Sequence, residues 1–154
     1  MLSDDVFRDN LERTLIKLEK WADTLTDCAA IDIAAGRHYW RLSVAPFTPG
    51  ACPFELLIKS DQTFSLRLDR ETYEDNPVDT FEFFSQLVNA IRAGRVERIE
   101  TLDSATRSLV AIETRVELSP GGEWIGHRQI APRAQRSSDV REERRTMRFL
   151  PFRR

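Results

Sequence analysis

The sequence has few of the features that mark specialised protein classes. Its two cysteines, Cys28 and Cys52, are too few for the disulfide framework of a small secreted protein. No apolar run approaches the roughly 20 residues that a membrane-spanning helix needs. With only six glycines and seven prolines in 154 residues, collagen-like and low-complexity chains are also excluded. A chain of this composition and length can bury a core without disulfides or metals.

The N-terminus lacks the basic start of a secretory signal peptide, because Met1 and Leu2 are followed by Ser3 and two aspartates. We therefore expect a cytoplasmic protein with no membrane span. The two cysteines show no CxxC spacing, so we expect reduced thiols, with a disulfide between them as the alternative.

Sequence motifs for catalysis and cofactor binding are missing. There is no GxGxxG, Walker, GxSxG, HExxH or EF-hand pattern, so nothing predicts a nucleotide, metal or hydrolase site. We accordingly expect no cofactor, and no residue is predicted to be catalytic.

Charge is unevenly distributed along the chain. Residues 1–130 carry a net charge of −7, whereas residues 131–154 carry +5 from eight arginines and three acids. This asymmetry bears on association with partners and not on fold. It divides the chain into an acidic domain over residues 1–132 and an Arg-rich tail over 133–154, docked or mobile.

The first predicted element is a helix from Asp4 to Thr26, with Ser3 at its N-cap. Phe7, Leu11 and Leu18 recur at helical spacing and form an apolar stripe. The stripe predicts packing on the protein's own sheet and leaves a contact with a second subunit open.

Period-two alternation predicts the strands. It begins at His38, and it is clearest at 54–59 and 63–68, which should form an antiparallel hairpin around Ser60, Asp61 and Gln62. Further strands are predicted at 95–102, 107–118 and 123–130, the last of them at a sheet edge.

A second helix is predicted over 77–93, because Asn76 and Pro77 resemble a helix start and Gly94 a helix stop. After Pro132, Asp139 and Glu142 stand at capping-box spacing and predict a short helix over 140–147.

These elements define an α+β fold in which two helices pack on one face of an antiparallel or mixed twisted sheet of about six strands, followed by a short C-terminal helix or tail. The order of elements is loosely similar to that of small dimeric secretion chaperones, with one strand more. The similarity concerns the fold only.

Three sets of residues are candidates for function. A pocket between sheet and helices would bring together two imidazoles and three aromatic rings: His38, Tyr39, Trp40, Trp124 and His127. The tail offers a partner-binding set: Arg141, Arg144, Arg145, Arg148, Phe149 and Phe152. An acidic cluster of opposite charge could dock that tail: Asp69, Glu71, Glu74 and Asp75.

The sequence favours a non-enzymatic binding or accessory protein, homodimeric, that uses its sheet edge, first helix or tail to hold another macromolecule. The first alternative is a small-molecule-binding protein or enzyme with a pocket near His38 and His127. The second is nucleic-acid binding through the tail, which the acidic domain disfavours because it repels phosphates.

Overall fold

The computed structural model describes residues 2–130 and 141–153, which form an α+β fold with two antiparallel sheets. The elements in chain order are α1 (Asp4–Asp23), β1 (Ala29–Ala35), β2 (Tyr39–Pro46), β3 (Phe54–Lys59), β4 (Thr63–Leu68), β5 (Glu71–Pro77), α2 (Glu82–Arg92), β6 (Val96–Asp103), β7 (Leu109–Glu117), β8 (Glu123–Gln129) and β9 (Glu142–Arg148). Of the helices in the described residues, none combines the length and the apolar character that crossing a membrane demands.

The first sheet is a five-stranded meander in the order β1-β2-β3-β4-β5. The predicted hairpin is confirmed as β3 and β4, with Leu56 opposite Leu66 and Ile58 opposite Phe64. All four side chains are buried on the face that both helices cover. The helix-covered face therefore agrees with the prediction for this sheet.

The second sheet has four strands in the order β8-β7-β6-β9, and β8 lies at its edge as predicted. The expectation of one sheet with about six strands is wrong, since β1, β5 and β9 were not predicted and the strands divide into two sheets. The sheets are joined through Tyr73 of β5, whose hydroxyl lies 2.7 Å from the Thr114 hydroxyl and whose ring contacts Trp124 edge-on. Residues of both sheets and both helices share one core.

The second helix begins later than predicted, because Asn76 and Pro77 end strand β5. The Asn76 amide donates hydrogen bonds to the carbonyls of Phe64 and Tyr73, so it serves the irregular β4–β5 pairing and not a helix N-cap. At the other end Gly94 has a φ of 75°, the left-handed conformation expected after a helix.

The predicted helix over 140–147 is wrong, because residues Glu142–Arg148 form strand β9. Ser137, Ser138 and Asp139 lie outside the described residues. β9 pairs antiparallel with β6 and supplies ladder hydrogen bonds to a strand that would otherwise be an edge. Phe149 then enters the shared core, with 7% of its surface exposed. A local helical pattern is thus overridden by backbone pairing and by burial of one aromatic side chain.

Candidate functional site

The five residues of the predicted pocket do not meet in one place. His38, Tyr39 and Trp40 line a cavity between α1 and the β1–β2 turn. Trp124 lines a second cavity, near the start of α2, and His127 a third, between β5 and β8. The structure therefore brings three of the five together and places the other two on the second sheet.

The two imidazoles are exposed and have weak polar neighbours. His38 Nδ1 lies 3.5 Å from the Ser60 hydroxyl, and His127 Nε2 lies 3.4 Å from the Gln129 side-chain oxygen. Because His38 lies in the turn before β2 and His127 lies in β8 of the other sheet, they line different cavities and cannot work as the acid–base or ligand pair that their predicted strand positions suggested. Within residues 2–130 and 141–153, no group of three or more His, Cys, Asp or Glu side chains converges as metal ligands would.

The cavity that contains His38, which we call the helix–hairpin cavity, has a volume of about 570 Å³. Ligand sites commonly occupy about 300–1,000 Å³. Its apolar walls come from α1, β2 and β3: Phe7, Leu11, Leu15, Trp40 and Ile58. Its polar rim comes from the start of α1, from the β1–β2 turn and from the residue that follows β3: Asp4, Arg8, Arg37, His38 and Ser60.

Gly36 and Trp40 shape two parts of the helix–hairpin cavity. Gly36 lies against the ring of Tyr39, and a Cβ atom at Gly36 would collide with that ring. Trp40 is 4% exposed, and its indole N–H has no acceptor among the described residues. An unsatisfied buried donor costs about 1–3 kcal/mol, and because this nitrogen has almost no exposed surface it lies behind the cavity wall and not on it.

The second notable feature is the open edge of the first sheet at β1. Residues of an antiparallel pair alternate between bonding their partner and pointing away from it. Gly36 donates its N–H to the Tyr39 carbonyl at 2.9 Å. In this register the even-numbered residues of β1 therefore form the backbone hydrogen bonds to β2. The backbone groups of Ile31, Ile33 and Ala35 therefore point away from the sheet.

Strand β1 has little of the usual protection of an edge strand, because its one charged side chain, Asp32, is already paired with Arg41 of β2. Natural edges carry lysine, proline, inward-pointing charges or bulges that prevent pairing. The sequence of β1 is Ala-Ala-Ile-Asp-Ile-Ala-Ala, and its register with β2 has no irregularity. The side chains of Ile31 and Ile33 lie on the helix-covered face, and Ile33 is 39% exposed.

The other described edges differ from β1 in this respect. β5 has an irregular register, and its Asp75 adopts a φ of 57°. β9 is rich in charge, with two glutamates and three arginines in seven residues. β8 carries Glu123 and Arg128. Of the four edges in the described part of the chain, β1 is the one suited to strand pairing.

Half of the predicted partner-binding arginines are occupied by acids of the chain itself. Arg145 lies 3.0 Å from Glu100, and Arg148 lies 3.3 Å from Glu97. Strands β9 and β6 are therefore joined by salt bridges as well as by backbone hydrogen bonds. The carbonyl of Arg141 accepts hydrogen bonds from Ser104, and Arg144 stands opposite Thr101. The pairing offsets part of the charge that phosphate binding would use.

The two aromatic residues of that set are also used internally. Phe149 is buried in the core, and Phe152 packs against the core and donates its backbone N–H to the Arg92 carbonyl. Neither residue is thus a free anchor for a partner.

The predicted tail-docking acids face other parts of the molecule. Glu71 is buried and binds Arg128 of β8 through two hydrogen bonds of 2.7 and 2.9 Å. Asp69 lies 3.6 Å from Arg98. Asp75 accepts a hydrogen bond from Lys59, and the nearby carboxylate of Glu74 helps to raise the pKa of that lysine. The described part of the tail, residues 141–153, pairs instead with β6 through β9.

Sequence reasoning missed β1, although a weak signal was present. Ile31 and Ile33 flank Asp32 with period two, but alanines surround them and alanine is depleted in strands. The hairpin with β2 stabilises a strand whose own residues favour it weakly.

Both cysteines are free thiols and both are buried. Burial, aided by the carboxylate of Asp69, raises the pKa of the Cys52 thiol to about 12. Neither thiol is therefore suited to nucleophilic chemistry.

We expect the folded protein to resist thiol-specific labelling at pH 8. The thiolate population of Cys52 should be about a thousandfold lower than that of an exposed cysteine, and reactivity should stay low up to pH 10. Absorbance after addition of an aromatic disulfide measures this, and both thiols should react in guanidinium. Fast labelling of either thiol in the native protein would contradict the expectation.

Comparison with protein-family models, with curated proteins and with solved structures finds no match.

Proposed function

We propose that this chain is a non-enzymatic binding protein that acts through protein–protein contacts and works as a homodimer joined along β1. The observation that carries the proposal is the weakly protected edge of β1, with its outward backbone groups and its mostly apolar side chains. Pairing of such an edge with another strand is a general mode of protein recognition. The separated imidazoles and the buried thiols give no reason to propose a reaction.

A second copy of the chain is the occupant that we propose for this edge, because a twofold axis can pair apolar side chains of two β1 strands and bring Asp32 of one near Arg41 of the other. Pairing about a twofold axis is antiparallel, so each strand contributes the same edge to the interface. Two five-stranded sheets would then join into one continuous sheet.

Charge selects the register of this pairing. A twofold axis at Asp32 would place two carboxylates opposite each other, which is unfavourable. An axis at Ile33 pairs Ile33 with the partner's Ile33 and sets Asp32 opposite the partner's Ala34. The outward backbone groups of the strands face each other in this register, as hydrogen bonding requires.

Arg41 supports the same register. It lies 3.0 Å from Asp32 of its own chain and stands opposite Ala34 across the β1–β2 pair. In the dimer Asp32 therefore shares a row with the partner's Ala34 and the partner's Arg41. The short side chain of Ala34 leaves the guanidinium room to approach both carboxylates.

The dimer should depend on concentration. An interface built around one strand pair is smaller than the roughly 1,200–2,000 Å² of stable complexes, so micromolar dissociation is the expected range.

The test is sedimentation velocity on the wild-type chain and on two matched variants. Ile33→Lys introduces at the edge the residue that natural edges use for protection, twice in a symmetric dimer. Ile16→Lys makes the same change on α1, where Ile16 is 53% exposed and lies opposite the buried stripe. We expect Ile33→Lys to weaken dimerisation at least tenfold, since about 1.4 kcal/mol already has that effect.

The Ile16→Lys variant should dimerise like the wild type. A wild-type monomer at every concentration up to 500 micromolar, roughly a hundredfold above the expected dissociation range, would overturn the proposal. Equal effects of the two substitutions would overturn the placement of the interface at β1.

A further inference from the structure

The helix–hairpin cavity combines an apolar interior with a basic rim. Its walls are formed by aliphatic and aromatic side chains of α1, β2 and β3, of which Phe7, Trp40 and Ile58 are buried. Arg8 reaches the rim from α1, and Arg37 reaches it from the β1–β2 turn. Such an arrangement fits a ligand with a hydrocarbon body and an anionic head.

We propose that this cavity binds a small monocarboxylate with an unbranched aliphatic chain. The chain would lie against the apolar walls, and the carboxylate would remain at the rim beside Arg8 and Arg37. Binding would be driven by removal of the chain from water and oriented by charge-assisted hydrogen bonds.

The net charge of the rim favours one negative charge on the ligand. Arg8 and Arg37 are the two guanidinium groups of the cavity, and Asp4 offsets one of them. A monocarboxylate matches the remaining charge, whereas a dianion such as a phosphate ester would face the Asp4 carboxylate with excess negative charge. His38 and Ser60 add further hydrogen-bonding groups on the same side.

The wall composition favours a flexible chain. Leu11 and Leu15 are partly exposed in the cavity although they pack on the core, so hydrocarbon contact would remove their remaining surface from water. Trp40 contributes its indole to the same wall. Tyr39, held over Gly36, closes the turn side of the cavity.

This proposal does not depend on the dimer, because the cavity is formed by residues of one chain. Ligand binding and oligomeric state are measured separately, so failure of one leaves the other standing.

Isothermal titration calorimetry of the full chain with decanoate, below its micelle concentration, tests the proposal. Decylammonium serves as the probe with the same chain and the opposite charge. The double variant Arg8→Gln/Arg37→Gln removes the proposed carboxylate contacts, and Arg13→Gln is the matched control, since Arg13 lies on α1 outside the cavity lining.

We expect saturable binding of one decanoate per chain, with no saturable binding of decylammonium. The double variant should bind decanoate about tenfold more weakly, because charge-assisted hydrogen bonds to a carboxylate are lost, and the control should bind like the wild type. No saturable binding of decanoate would overturn the proposal. Equal binding of decylammonium, or unchanged affinity in the double variant, would overturn it as well.

Discussion

Replacing Phe149 by alanine should lower the free energy of unfolding by about 3–5 kcal/mol, the range for truncation of a buried aromatic side chain. Phe149 follows β9 directly and is packed in the core that both sheets and both helices share. Its backbone N–H donates to the Val96 carbonyl at 3.0 Å, which holds the main chain in place. The main chain therefore cannot shift to fill the cavity that truncation would leave. The C-terminal segment is in this account part of the fold.

Urea denaturation followed by circular dichroism measures this effect. Phe47→Ala is the matched control, because Phe47 is 62% exposed and should lose little. If both variants lost the same small amount of stability, the docked position of the C-terminal segment would be wrong.

Gly94→Ala should also destabilise the protein, by about 2–5 kcal/mol. The φ of 75° at Gly94 disfavours any residue with a Cβ atom by about 1–2 kcal/mol. A Cβ atom at this position would lie 2.6 Å from the backbone nitrogen of Pro151, and relieving that overlap adds about 1–3 kcal/mol. Two costs, one conformational and one steric, combine at a single position.

Gly122→Ala separates the two costs. Gly122 has a φ of 91°, but a Cβ atom there would have no heavy atom within 4 Å. We expect Gly122→Ala to lose only the conformational part, about 1–2 kcal/mol. If the two variants lost the same free energy of unfolding, the close contact between Gly94 and Pro151 would be wrong.

Strong local patterns gave correct predictions of structure. The β3–β4 hairpin alternates without interruption over both strands, and helix α1 begins after Ser3 as the sequence indicates. Edge position was also predictable for β8, because neither of its faces is plainly apolar. In these places local preference and tertiary packing agree.

Prediction failed where tertiary contacts decide. β1 is rich in alanine, β5 has Tyr73 among acids, and β9 is dominated by charged residues, so none shows the pattern of a strand. Each becomes a strand because a neighbouring strand offers free backbone groups. The Asp139–Glu142 spacing indicated a helix locally, but pairing with β6 and burial of Phe149 prevailed.

The candidate sites could be predicted only in part for a related reason. His38, Tyr39 and Trp40 are adjacent in sequence, so their common location required no knowledge of topology. Joining them to Trp124 and His127 required β2 and β8 to be neighbours, and these strands belong to different sheets. Which acids meet the tail arginines likewise depends on the β6–β9 register, which residue spacing does not reveal.

The central claim is that the edge of β1 pairs with a second copy, and amide hydrogen exchange resolved by residue tests it most directly. Within one strand the amides of Ala30, Asp32 and Ala34 face β2 and provide an internal reference. At concentrations that favour the dimer, the amides of Ile31 and Ile33 should be protected to a similar degree and should lose this protection on dilution. Fast exchange of these two amides at every concentration, beside slow exchange of the reference amides, would contradict the claim.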